Sequence, residues 1–418
     1  MQESNWAGNF SYRASVIHRP RSLDELRRIV ASTTKVRAIG SRHTFSAIAD
    51  AAQLVSLERM PAGVVVGEDR QTISFGAHLH YGELAAALAR HRLALGNLAS
   101  LPHICVAGAV ATGTHGSGDA NGSLATAVAG IELVTAEGEV LTVARGDRDF
   151  DAVVVALGAL GVVTRLTLDV EPAYEVRQRV FEALSWHELL EHFNAIANSG
   201  YSVSIFTRWS KVGSRVWVKT RVADGEEVIP DTLFGARLAD ADRHVLDGHD
   251  PASCTLQGGV PGPWSERLPH FRMGFTPSAG EEIQSEYLVA RRHAVAAIAA
   301  LRDLAYLVCP LLQVTEIRTV ARDSLWLSPQ YDQDTVGIHF TWRREQQAVE
   351  QALVAVEEVL APFAPRPHWG KLFLADAATL AARYPRLADF VDLAHRFDPN
   401  RKFTNEWLVR HVFALNGR

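Results

Sequence analysis

Three short stretches in the second half of the chain set residues of different chemistry at strand spacing. In "QVTEIRTV", Glu316 and Arg318 are two apart, so a strand points both to one face and turns Ile317 and Thr319 to the other. In "TVGIHFTW", His339 and Thr341 share a face, opposite Ile338, Phe340 and Trp342. In "RPHWGKLF", Lys371 follows Gly370 in an aromatic setting. A solvated strand face also carries charges. These faces, however, combine a carboxylate, a guanidinium, an imidazole, a hydroxyl and an ammonium, the mixture of donors and acceptors that polyol or sugar recognition requires. The bulky aromatics beside them point to a cleft rather than open surface.

Two glycine-rich stretches lie in the first half. "GSRHTFS" gathers Gly40, Ser41, His43, Thr44 and Ser46, with only Phe45 to bury, and "GAVATGTHGSG" follows from Gly108. Small residues let backbone N–H groups approach a bound group closely. Successive N–H groups of that kind form anion-binding concavities suited to a pyrophosphate. Neither stretch is a Walker loop, and no well-placed Rossmann G-x-G-x-x-G is present. From residue types alone His43 could be a ligand, an acid or an anchor. The seventeen histidines include no H-E-x-x-H, and C-x-x-C is missing too, so no metal centre is expected. Without a G-x-S-x-G elbow, a serine-hydrolase triad is not expected either.

The elements that must position these residues can be read from pattern. Ser22 and Glu25 have capping-box spacing before Leu23, Leu26, Ile29 and Val30, which predicts a helix. "KVRAIG" then reads as a strand, "AGVVVGEDRQTISFG" and "GIELVTAEGEVLTVA" as hairpins, and "YGELAAALARHRLAL" as a helix. Beyond Pro172, strands such as "RVWVKTRV" mix with helices such as "AVEQALVAVEEVLAPF". The Pro/Gly-rich "SCTLQGGVPGPWSERLPHF" reads as a long irregular connection that could border a site. At 418 residues the chain is too long for one ordinary core. The expected class is α+β, with one domain over 1–172, a second over 173–372, and a segment over 373–418 that returns to the first.

Composition excludes several functions. A net charge of -5 gives no basic field for nucleic acid. The longest apolar run, "AVVVALGALGVV", is short of the ~20 residues that span a bilayer. The N-terminus lacks the basic-then-apolar signal pattern. Cys105, Cys254 and Cys309 are odd in number and far apart, so no disulfide framework is indicated and a reducing cytoplasm is the expected home.

In order along the chain, "GSRHTFS", "NLASLPHICVAGAVATGTHGSG", "EIRTV", "HFTW", "RPHWGK" and "KFTN" resemble the vanillyl-alcohol oxidase type of flavoprotein. The likeness is greatest to the alditol-oxidising members of its sugar- and aldonolactone-oxidase branch. It runs from Asn5 to "KFTN" at Lys402. The resemblance implies an FAD-binding domain and a substrate-binding cap, with FAD joined covalently to His43. Gly40, Ser41, Arg42, Thr44, Phe45 and Ser46 would wrap the pyrophosphate. Gly108, Ala109, Val110, Ala111 and Thr112 would line it from the other side, and Ser100, Cys105 and Val162 would complete the flavin contacts. The substrate site would comprise Ser100, Glu316, Arg318, Thr341 and Lys371. Arg318 and Lys371 would hold the reacting hydroxyl and stabilise developing alkoxide charge, with His339 as a further candidate for proton handling.

The implied reaction is oxidation of a terminal alcohol of a polyol such as xylitol or sorbitol, with O2 giving H2O2, by a monomer. An aldonolactone oxidase or a dehydrogenase using another acceptor is the alternative. Two departures stand out. Arg42 occupies a place where glycine is common, which suggests an extra pyrophosphate or surface contact. Cys105 replaces a usual serine and reads as a buried inert thiol.

Overall fold

The computed structural model describes residues 3–210, 213–222, 230–275 and 282–414. The helix Leu23–Ser32 starts at Ser22, whose hydroxyl accepts from the Glu25 N–H. The return bond lands one residue earlier than the capping-box spacing predicts: Glu25 accepts from the N–H of Arg21 at 2.8 Å. A helix of ten residues is too short to persist alone. It is held because Leu26 and Val30 bury against Val36, Val134 and Phe403.

Two small sheets frame the first part of the chain. Val16–His18 and Arg37–Ile39 both run parallel to Gln53–Ser56. A five-stranded antiparallel sheet contains both expected hairpins, Val65–Val66 with Thr72–Gly76 and Val128–Val134 with Val140–Ala144. The strand Val162–Asp169 lies between them. Gly138 makes the second turn at φ 81°, where a side chain would be strained.

The ten strands of the large sheet all come from residues 175–367. Its middle runs Ser202–Thr207, Leu312–Val320, Thr335–Arg343 and Glu282–Ala290 in hydrogen-bonded order, antiparallel throughout. One face is apolar. Ile317, Ile338 and Phe340 join Ile298 of the helix Ala294–Asp303 and Leu353 of the helix Gln346–Leu360 in a single core. The register places Glu316 opposite His339, His339 opposite Glu286, and Thr341 opposite Gln284. The chain then comes back to its beginning. The Lys402 ammonium donates to the carbonyls of Val30 and Ala136, and Asn405 donates to those of Ala47, Ile48 and Asp50.

Candidate active site

A cavity of about 590 Å³ runs between the Gly40–Phe45 loop and the polar face of the large sheet. At the loop end, backbone groups dominate. The N–H groups of Ser41, Arg42, His43 and Thr44 have no bonded partner among the described residues. Gly40 passes so close to Cys105 that a Cβ would lie 3.1 Å from the cysteine's own. The Ser41 hydroxyl accepts from the Cys105 N–H at 2.9 Å, and the Phe45 N–H is taken by the Gly370 carbonyl. Ser41 and Phe45 thus brace the loop, Phe45 with its ring buried. His43 stacks on Trp6 at 5.0 Å and contacts the Ser41 carbonyl through Nδ1 at 3.0 Å. Burial pushes it down to about 4 against that hydrogen bond, so the ring is neutral at neutral pH.

Arg42 has φ 61°, the left-handed region in which glycine is at ease. That is why glycine suits this position. The added side chain makes an ion pair with Glu3, one of the two kinds of contact expected of it. Cys105 is fully covered, its thiol points to the Ala77 carbonyl, and burial pushes its pKa up. A raised pKa disfavours the thiolate, the reactive form.

The second glycine-rich stretch begins inside a helix and becomes a loop only from Thr112 onward. Val106–Ala111 forms a short helix with Thr112 as its C-cap. Alanine and valine around Gly108 continue helical geometry, and composition alone hid it. Gly108, Ala109, Ala111 and Thr112 line the cavity, whereas Val110 turns the other way to pack near Ile131 and Leu133. A Cβ built on Gly108 meets nothing within 4 Å, so the bare backbone borders open space. Unpaired N–H groups on one side and a side-chain-free helix face on the other fit a diphosphate-bearing cofactor. Two further expected contacts, besides Val110, fall outside the cavity lining. Ser46 lies beyond the loop's inner edge, its hydroxyl without a partner among the described residues. Strand alternation sends Val162 into the core and presents Val163 instead.

The sheet end is dense with charge. Glu286 is the hub. It bonds Lys371 Nζ at 2.5 Å and Arg318 at 3.0 Å, and His115 lies 3.2 Å away. Burial would raise its carboxyl, but Lys371, His115 and Arg318 outweigh that and hold it well below the usual carboxylate range. Arg318 also reaches Ser100 at 3.4 Å and Glu316 at 3.5 Å. Burial likewise opposes ionisation of Glu316, and Arg318 and His270 overcome it. Lys371 is pushed down by burial and pulled back by Glu286. Two carboxylates thus balance two fixed cations. At an effective dielectric near 20, each close pair gains about 4 kcal/mol, comparable to the several kcal/mol that each buried ion costs. Removing one member would leave the others uncompensated.

His339 occupies both ring nitrogens within this network, with Lys371 at 2.7 Å on Nδ1 and Thr341 at 3.0 Å on Nε2. Burial and Lys371 push it down to about 3. The neutral ring orients its two neighbours and is poorly suited to hold a proton. The turn that presents Lys371 is fixed by Trp369, whose Nε1 donates to the Leu327 carbonyl at 2.7 Å.

Every residue expected to bind substrate, namely Ser100, Glu316, Arg318, Thr341 and Lys371, lines this one cavity. The sequence reading missed Glu286, His115, His270 and Lys219. One signal was available: in "EIQSEYLVA" Glu286 leads directly into the apolar run Tyr287–Ala290, and a charge inside a buried strand needs a partner. His115 sat unremarked within the quoted "GTHGSG". The irregular stretch before Phe271 does border the site, through His270.

Residues 14–144 match a family described as FAD binding domain, and residues 281–411 match D-arabinono-1,4-lactone oxidase. The chain is similar to an alditol oxidase of Streptomyces sp. (strain IKD472 / FERM P-14339), 49% identical over 410 residues and covering 97% of each chain. It is also similar to an L-gulono-1,4-lactone dehydrogenase of Mycobacterium tuberculosis, 30% identical, covering 97% of this chain and 98% of the other. Among solved structures, a cholesterol oxidase from B. sterolicum has the same fold. Its TM-score is 0.79 at 14% identity, over 98% of this chain and 96% of that one.

Proposed function

Because the chain belongs to the vanillyl-alcohol oxidase type of flavoproteins, in the branch that includes alditol oxidase, we propose that it oxidises the terminal primary alcohol of alditols such as xylitol and sorbitol. The balance is R–CH2OH + O2 giving R–CHO + H2O2. FAD supplies the hydride acceptor and the route by which the electron pair reaches O2. The division of labour follows 1–172 for FAD, 173–372 for the substrate cap, and 373–418 for the segment that rejoins the first part.

The observation that carries this reading is the placement of buried Arg318 and half-buried Lys371 on one cavity wall with Glu316 and Thr341. The two cations hold the reacting hydroxyl and stabilise the negative charge that develops as its proton leaves. Glu316, Ser100 and Thr341 bond the remaining hydroxyls, and His339 fixes Lys371 and Thr341 in place. His43, neutral and at the loop end of the cavity, is the covalent anchor for FAD. The enzyme acts as a monomer in the cytoplasm, where its free thiols Cys105, Cys254 and Cys309 remain reduced.

Peroxide release from xylitol or sorbitol under air tests the reaction, and acid precipitation of the yellow protein tests the bond. Polyol-dependent peroxide, with colour retained in the pellet, is expected. Arg318→Ala should lower turnover by roughly 10²–10³-fold with flavin retained, the scale for losing one preorganised charge-stabilising group. Turnover of aldonolactones alone, with an acceptor other than O2, would replace the alditol reading. Colour in the supernatant would remove the covalent role of His43.

A further inference from the structure

Behind Glu316 the cavity wall is backed by a buried lysine. Lys219, on the strand Ser214–Arg221, is 1% exposed. Its ammonium bonds the Leu268 carbonyl and, at 3.1 Å, His270 Nδ1. The other ring nitrogen, Nε2, lies 2.8 Å from Glu316 Oε1. Phe206 and Trp217 clamp the imidazole edge-on, at 5.4 Å and 5.3 Å. The groups that bear on Lys219 are Glu316 and Arg318 from the sheet face, and His270 and Cys254 from the irregular connection.

The chain of bonds has a direction. Burial pushes the Lys219 ammonium down to about 7; below that pH it is protonated, has donors and no acceptor, and Nδ1 must accept. A neutral imidazole then carries its hydrogen on Nε2 and donates it to Glu316. Burial and the Lys219 charge push His270 down to about 4, which keeps the ring neutral. Without the lysine, the ring is free to reverse its tautomer or to take a proton, and Glu316 would face a different partner.

We propose that Lys219 and His270 are positioning residues for Glu316: the lysine selects the imidazole tautomer that donates to Oε1, leaving Oε2 to accept a substrate hydroxyl other than the reacting one. This rests on the polyol reading above, because it requires Glu316 to face substrate. A methionine fills nearly the volume of Lys219 without the cost of a buried charge, so Lys219→Met should fold.

The test compares wild type, Lys219→Met, His270→Phe and the double variant as holoenzymes, on xylitol and on 1-propanol, which has no second hydroxyl. Each single variant should raise KM for xylitol about tenfold, or ~1.4 kcal/mol, with kcat within about twofold. kcat/KM for 1-propanol should hold, and the double variant should be no worse than either single, since the residues act as one chain. Equal losses on both substrates, or effects that add, would overturn the proposal. Long-range 15N NMR of the His270 ring, assigned with His270→Phe, should show Nε2–H in wild type at about pH 6, below the Lys219 value of about 7 and above the His270 value of about 4. Nδ1–H or an imidazolium would overturn it. If wild type fails to oxidise xylitol, the polyol reading fails, and the ring tautomer alone then decides whether the Lys219–His270 chain stands.

Discussion

At the loop end of the cavity, Ser41 to Thr44 offer backbone N–H groups and Gly108 a bare helix face, and the Arg42 charge within that segment is paired with Glu3. At the sheet end, Glu286, Glu316, Arg318 and Lys371 crowd into one hydrogen-bonded cluster with hardly any solvent. Both ends prepare for a polar ligand, by different means. Backbone dipoles spread over many groups tolerate an anion without any one residue bearing a full charge. Full charges are stronger but must be balanced among themselves before a ligand arrives. The first arrangement should therefore tolerate substitutions that leave the backbone path intact, whereas the second should fail as a unit.

The largest expected effect tests that unit. Glu286→Gln keeps the shape of the hub and removes its charge, leaving Arg318 and Lys371 without their shared counter-ion. Removing one partner of a buried ion pair costs about 3–5 kcal/mol, so denaturant unfolding should show a loss of that order together with lost turnover. A loss under about 1 kcal/mol, the level of an exposed pair, would break the contrast between the two ends.

A smaller effect of a different kind is expected at the loop end. Gly108→Val projects into open space and sits in a helix, where valine is about as well tolerated as glycine. Stability of the flavin-free protein should stay within about 0.5 kcal/mol, while flavin content per chain falls. Full flavin loading in this variant would remove Gly108 from the cradle.

The smallest effect sharpens the electrostatic side. His43 and His270 are pushed down to about 4 and His339 to about 3, below the ~6.5 of an unfolded histidine. Between these values the unfolded chain binds more protons, so stability rises with pH through that window and falls on acidification. The thermal midpoint of the flavin-free protein, in which His43 carries no bond to FAD, should therefore drop steadily from pH 7 to pH 4. His339→Gln should flatten that slope more than His43→Gln, because its displacement is larger. A midpoint indifferent to pH across this range would contradict the burial of these rings.

The parts legible in the sequence are those set by a few neighbouring residues. Ser22 and Glu25 start a helix through their own side chains, and Glu137-Gly138 makes a hairpin because glycine accepts a positive φ. Alternation alone put Glu316 with Arg318 and His339 with Thr341, since side chains two apart in any strand share a face. Where a one-residue parity mattered and no flanking signal fixed it, the reading missed: Val162 was chosen and Val163 reached the cavity. The helix at Val106–Ala111 was hidden because glycine and alanine are compatible with a loop as well as a helix.

Sequence by itself therefore determined the element types, the composition of the nucleotide-side loop, and the polar faces of two strands. Tertiary structure decided which of those faces meet. Register places Glu286 beside His339 and Lys371, although 85 residues separate Glu286 from Lys371 along the chain. It also decided that Arg42 must sit at positive φ, and that Lys219 would be buried against His270. Such facts depend on distance through space, and charge balance in a dry interior is a sum over neighbours that no single strand contains.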